Sequence, residues 1–176
     1  AISSVSASEI AVQTEGGGGY AATKPMAQRI LWHHNDTPWG FVVAGDSGIK
    51  TLQDIGKGGV RVTSGIFSPA IVTAVTQALP AFIGLTPEEA QEKITYVPAS
   101  SYSENCRSVV EGKSDVAYCA PISSVLSEME GSPGGIRWLE MDPADKEGWN
   151  AYLGFRPMTI PSKLSLGVKT AQGVNS

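Results

Sequence analysis

From Asp46 to Leu153 the chain alternates short β-rich runs with helix-length segments, and most of those helices carry their own start or stop signals. Ser68-Pro69 pairs an N-capping hydroxyl with a proline at the first helical position. The Ala70, Ile71, Ala74, Val75, Ala78 and Leu79 that follow recur at the helical period, so one stripe is expected to be buried, with Pro80 closing the helix. Thr86-Pro87-Glu88-Glu89 and Ser101-Tyr102-Ser103-Glu104 both fit the capping-box pattern, in which the hydroxyl and the acid three residues later satisfy each other's backbone amides. Pro121 opens a further helix with Ile122, Val125, Leu126 and Met129 on one face. Asp142-Pro143 is expected to cap the last one, which carries Trp149, Tyr152 and Leu153.

Between these helices, Val60–Val62, Ile94–Val97, Asp115–Cys119 and Ile136–Leu139 read as strands, giving the order βαβαβαβ. Strands joined through helices are expected to lie parallel with right-handed crossovers, so the fold class is α/β. The flanks differ in character. Residues 1 to 24 are rich in Ser and Gly, Ile30-Leu31-Trp32 is apolar, and a tail runs from Met158 to Ser176. They read as parts of another lobe, so the expected division is 1–44 with 155–176 for a partial first lobe and 45–154 for an inserted α/β lobe. Phe41–Ala44 and Phe155–Ile160 would be paired joints that permit hinge motion.

The 176 residues, 41% of them hydrophobic, are enough for one ordinary core or two small ones, and disorder is not expected. A formal charge of −4 without any Lys/Arg cluster argues against nucleic acid and against a polybasic membrane surface. No apolar run approaches the roughly 20 residues of a membrane-spanning helix. Cys106 and Cys119 match no zinc spacing and are too few for a disulfide scaffold; a buried pair of thiols and a single disulfide are both open. His33-His34-Asn35-Asp36 lacks a second ligand pair to complete a tetrahedron, so no metal and no cofactor are expected. Trp39 is expected to pack in the core or to line a cleft entrance.

In open parallel sheets, ligands bind beyond the carboxyl ends of the strands, where helix N-termini aim unpaired amides. Three turns qualify. Thr63, Ser64, Gly65, Phe67 and Ser68 follow the first strand, Ser100 and Ser101 the second, and Tyr118 to Pro121 the third. Small hydroxyls and a glycine suit a carboxylate, although Ser68 and Ser101 are equally needed as N-caps. Catalysis has little support. Ser64 in Thr-Ser-Gly weakly resembles a nucleophile elbow, yet both histidines lie upstream, and no dinucleotide or phosphate-loop pattern stands in strand-turn-helix context. A non-enzyme is expected, with a small α/β hydrolase as the remote alternative.

Gly40-Phe41-Val42-Val43, Ser47 to Lys57, the Thr63 to Ser68 turn, Glu111-Gly112-Lys113-Ser114-Asp115-Val116-Ala117 and Pro157 to Pro161 together resemble the TAXI family of TRAP-transporter solute receptors. The resemblance implies a type II periplasmic-binding-protein fold, two α/β lobes around a cleft, with the present chain incomplete at both ends. It also implies an extracytoplasmic, monomeric receptor that passes a small organic anion, such as a dicarboxylate, an oxo acid or an acidic amino acid, to a TRAP membrane permease. A sensing domain of the same fold is the alternative. From the partial lobe, Ser6 and Ser8, with Glu9 and the Gly16–Tyr20 run, loosely match a ligand-facing loop of that family.

Overall fold

The computed structural model describes residues 10, 14, 37–157 and 159–176. Five strands organise them: β1 (Gly40–Ala44), β2 (Val60–Thr63), β3 (Ile94–Val97), β4 (Ala117–Cys119) and β5 (Ile136–Leu139). Helices α1 (Pro69–Phe82), α2 (Pro87–Lys93), α3 (Tyr102–Arg107), α4 (Ser124–Glu130) and α5 (Lys146–Phe155) pack around them, confirming an α/β arrangement.

The sheet is not all parallel. β2 and β3 pair in parallel with Thr63 opposite Val97, and a parallel bridge from Val62 to Val116 brings β4 to the other side of β2. β1 then runs antiparallel between β4 and β5, with Gly40 opposite Cys119 and Phe41 opposite Leu139. The spatial order across the two hydrogen-bonded groups is therefore β3-β2-β4-β1-β5. The expectation that strands joined through helices lie parallel holds for β2 to β5, while β1, which enters from outside that run, is antiparallel to its neighbours.

β1, expected as a joint between lobes, is a strand inside this sheet. Its residues Phe41, Val42 and Val43 have no exposed surface, the continuous apolar pattern of a strand covered on both faces. Phe41 and Val43 join Val62, Tyr118 and Leu139 on the face packed by α1 and α5. Val42, Ala117 and Trp138 look the other way, onto α3, α4 and the C-terminal segment. That segment also departs from the expected division. Residues 156, 157 and 159–162 form no strand, and Leu164, Val168 and Ala171 are buried in this second core. Leu164 donates its amide to Val174, Met141 to Asn175, and the Glu130 carboxylate accepts the amides of Lys169 and Thr170. The described part of 155–176 therefore belongs to the same body as 45–154.

Pro80 does not close α1. The turn Ala74–Ala78 is wound as a π-helix, with the Leu79 amide donating five residues back to Ala74, and the helix continues to Phe82. Proline has no N–H and its ring collides with the carbonyl four residues earlier in an ordinary α-helix. Widening the turn just before it lets the helix pass. The Thr86 capping box forms as expected, while Asp145 rather than Asp142 caps α5, accepting from the Gly148 amide at 2.8 Å. Cys106 and Cys119 form a disulfide with Cα atoms 6.0 Å apart, which closes the question that the spacing had left open.

Candidate functional site

The parallel register places the turns after β2, β3 and β4 at one edge of the sheet, since Thr63 faces Val97 and Val62 faces Val116. Antiparallel β1 brings Trp39, the residue before it, to the same edge, because Gly40 lies opposite Cys119. The three sequence-predicted turns are therefore neighbours, but their side chains are employed very differently.

The turn after β2 is the most open to a ligand. Its first residues are anchored: Thr63 donates its amide to Val116 at 3.0 Å and Ser64 to Val97 at 2.9 Å. A short turn follows, in which the Ser68 amide reaches the Gly65 carbonyl at 3.0 Å. Between these anchors, the amides of Gly65, Ile66 and Phe67 donate to nothing among the described residues. Ser68 has the extended backbone of an N-cap, and its carbonyl accepts from Ile71 and Val72, yet its hydroxyl makes no capping bond. Three consecutive amides without a partner among the described residues thus lead into a 14-residue helix, the kind of place where an anion is favoured.

Gly65 is required by space. A Cβ there would lie 2.6 Å from Ile71 Cγ2 and 3.2 Å from Asn105 Oδ1. Two fully buried polar side chains flank the turn with unfilled hydrogen-bonding capacity, Thr63 through Oγ1 and Asn105 through Oδ1. Asn105 is held from its other end, where Nδ2 donates to the Tyr118 carbonyl at 3.0 Å. Phe67, included among the expected contacts, stands at the rim with 38% of its surface exposed, next to Ile66 at 60%.

The turn after β3 is committed to its own structure. Ser101 caps α3 by accepting the Glu104 amide at 3.2 Å. The Glu104 carboxylate does not return to Ser101, as a capping box requires, but accepts both the hydroxyl and the amide of Ser100 at 2.7 Å. Those two bonds hold Glu104 below the ordinary carboxylate range. Its negative charge beside Ser100 disfavours an anion at this turn, so Ser100 and Ser101 serve as structure.

Tyr118 is a core residue. Only 5% exposed, its ring stacks on Trp39 with centroids 5.2 Å apart and tilts against Phe41 at 4.8 Å. Burial pushes its hydroxyl pKa up. The aromatic group at this edge is instead Trp39, half-buried and also edge-on to Tyr102 at 5.8 Å. Tyr102 in turn accepts the Ala120 amide at 2.9 Å, fixing the turn after β4. Ser6, Ser8, Glu9, the Gly16–Tyr20 run and His33 to Asp36 lie outside the described residues, among which no His/Cys/Asp/Glu group could hold a metal.

Sequence reasoning missed Asn105 at this edge. Asn105 had a signal, being the polar member of a helix stripe otherwise made of Tyr102, Cys106 and Val109.

No family model and no curated protein matches the chain. Several solved structures match part of the chain. One is the substrate binding protein of an amino acid ABC transporter, with 14% identity over 62% of this chain and 41% of that one, and a TM-score of 0.39. Another is the L-cystine solute receptor of Neisseria gonorrhoeae in its unliganded open conformation, with 20% identity over 68% and 47% and a TM-score of 0.37. A third is an ancestral arginine-binding protein bound to glutamine, with 13% identity over 70% and 54% and a TM-score of 0.40. The chain aligns with about half the length of each.

Proposed function

We propose that the chain is part of an extracytoplasmic solute receptor, non-enzymatic, that captures a small organic anion between two lobes and presents it to a TRAP-type membrane permease. The lobe described here would supply one wall of the cleft. Ligand held across the cleft stabilises the closed form by its higher affinity for that form, and the closed shape is what a permease reads.

The observation that carries this reading is the run of amides at Gly65, Ile66 and Phe67 with no partner among the described residues, at the carboxyl edge of the sheet and next to the Ser68 hydroxyl, which makes no capping bond. The Cys106–Cys119 disulfide supports the compartment, because disulfides persist in oxidising surroundings outside the cytoplasm. The TAXI resemblance supports the permease type and the anionic ligand class. A sensing domain of the same fold would use the same site, and the neighbouring genes would tell the two apart.

The test is calorimetric titration with succinate, 2-oxoglutarate and L-glutamate, first located by thermal shift, on the chain and on Ser64→Ala/Ser68→Ala. Loss of two hydrogen bonds worth about 1 kcal/mol each weakens binding roughly tenfold or more. Unchanged affinity in a folded double variant removes the site.

A further inference from the structure

α3 is only six residues long, and a helix of that length is held by what it packs against rather than by its own hydrogen bonds. Two consecutive residues tie it to β4. Asn105 donates from Nδ2 to the Tyr118 carbonyl at 3.0 Å, and Cys106, the next residue, is bonded to Cys119, the residue after Tyr118. The hydrogen bond and the covalent bond lie side by side, with Nδ2 at 3.9 Å from each sulfur. Asn105, Cys106 and Cys119 have no exposed surface.

The other end of the Asn105 amide bears on the candidate site. Only the nitrogen of that amide can donate to a carbonyl, which leaves Oδ1 for the other side. Oδ1 lies 3.2 Å from where a Gly65 Cβ would stand and has no hydrogen-bond partner among the described residues. Asn105 therefore meets the turn by packing. In a close-packed interior such a contact passes on any shift of the atom that makes it.

Bonded sulfurs sit well inside the contact distance of unbonded ones, so two thiols need more room than the disulfide they replace. One of the two elements must then yield. β4 is fixed between β1, its antiparallel partner, and the parallel bridge to β2. The short α3 is free of such a ladder, and Asn105 moves with it.

We infer that Asn105 is a positioning residue for the Gly65, Ile66 and Phe67 amides and that the Cys106–Cys119 disulfide holds it there, so the turn binds its ligand well in the oxidised chain and poorly in the dithiol. What the turn binds rests on the receptor reading; the dependence on oxidation is added to it. The step is thiol–disulfide exchange: an external dithiol is oxidised to its disulfide while Cys106 and Cys119 gain two electrons and two protons as thiols. A disulfide donor drives the reverse. A chain still in a reducing compartment thus holds solute weakly and gains affinity on oxidation.

Succinate titration and proton–nitrogen correlation spectra of the chain, oxidised and after dithiothreitol, test this. Reduction is expected to shift the Gly65, Ile66 and Phe67 amides without ligand and to weaken succinate binding about fivefold or more, the low end of ordinary coupling between sites. Linkage requires the converse: while the reduced chain stays folded, saturating succinate should move the disulfide midpoint in a dithiothreitol redox buffer about 20 mV to more reducing values, the same fivefold converted for two electrons. A disulfide serving stability alone shows no such shift. Unmoved amides in the folded dithiol, or an affinity independent of oxidation, overturn the inference. Should reduction unfold the chain, Asn105→Ala with the disulfide closed takes its place, with displaced amides and weakened binding expected and unchanged ones overturning it. An oxidised chain that binds no carboxylate ends the receptor reading, while the ligand-free amide shifts still decide the role of Asn105.

Discussion

Cys106, inside α3, is bonded to Cys119, the last residue of β4, so the helix capped by Ser101 is tied covalently to the strand that leads into Ala120 and Pro121. The bond lies in the second core, where both sulfurs are fully buried, and Asn105 next to it carries the tie onward to the Gly65 turn. The two cysteines are 13 residues apart, a loop for which the chain-entropy model gives about 3 kcal/mol. Cys106→Ser/Cys119→Ser is expected to lose about 2 to 4 kcal/mol in urea unfolding, and reductant should lower the midpoint of the wild-type chain while leaving the double variant unchanged.

At the far side of the sheet, Arg61 grips Asp115 with its guanidinium, and its backbone amide adds a third bond at 2.8 Å. Partial burial alone would raise the Asp115 pKa, but the bonds from Arg61 outweigh it and hold the carboxyl below its ordinary value. A carboxyl lowered in the folded state contributes stability that is present above its unfolded value of about 3.9 and disappears as pH falls through the lower folded one. Both side chains are partly exposed, so the gain is modest, about 1 kcal/mol. Urea midpoints of wild type and Asp115→Asn are therefore expected to differ near neutrality and to converge as acid protonates Asp115.

On the alkaline side, burial raises the Tyr96 hydroxyl to about 12, and its oxygen has no partner among the described residues. Tyr102, Tyr118 and Tyr152 are raised by burial as well. In the unfolded chain these groups ionise near 10, so folding is favoured below that value and progressively weakened above it, as the unfolded state sheds protons that the folded state retains. Phenolate absorbance should show these four ionising late and together with the loss of near-ultraviolet circular dichroism. Tyr96→Phe, which removes the buried oxygen, should flatten part of the decline. Ionisation of all of them near pH 10 in the folded protein would contradict their burial.

The helix boundaries were legible because each rests on local chemistry: Thr86 and Ser101 act through hydrogen bonds to residues within one turn, and Pro69 through its fixed backbone angle at the first helical position. The direction of β1 was not, since antiparallel insertion between β4 and β5 depends on partners about 75 to 100 residues away. Of the candidate site, the turn at Thr63–Ser68 was readable from its small residues and its place before a helix. The burial of Tyr118 was not legible, because a tyrosine at a strand end looks the same whether it faces the edge or the core, and only the stack with Trp39 and Phe41 decides. Ser100 could not be separated from a ligand contact without seeing that Glu104 reaches past the cap to claim it.

Gly65 is where fold and site meet most tightly, and it gives the sharpest test of the turn. Its backbone is fixed on one side by Ser64 bonded to Val97 and on the other by its own carbonyl bonded to Ser68. An alanine methyl would stand 2.6 Å from Ile71 Cγ2, closer than packed carbons allow, and Ile71 is 4% exposed, with little room to yield. The strain must then move the turn, α1 or Asn105. Gly65→Ala is expected to lose about 1 to 3 kcal/mol in urea unfolding, the usual range for an overpacked core. Carboxylate affinity should fall further than in Ser64→Ala, because displacing the turn misdirects three amides at once rather than removing one hydroxyl. Pairing it with Ile71→Val, which shortens the opposing side chain, should recover part of both losses. If Gly65→Ala leaves stability and binding unchanged, the turn is not packed against Ile71 and Asn105 as described.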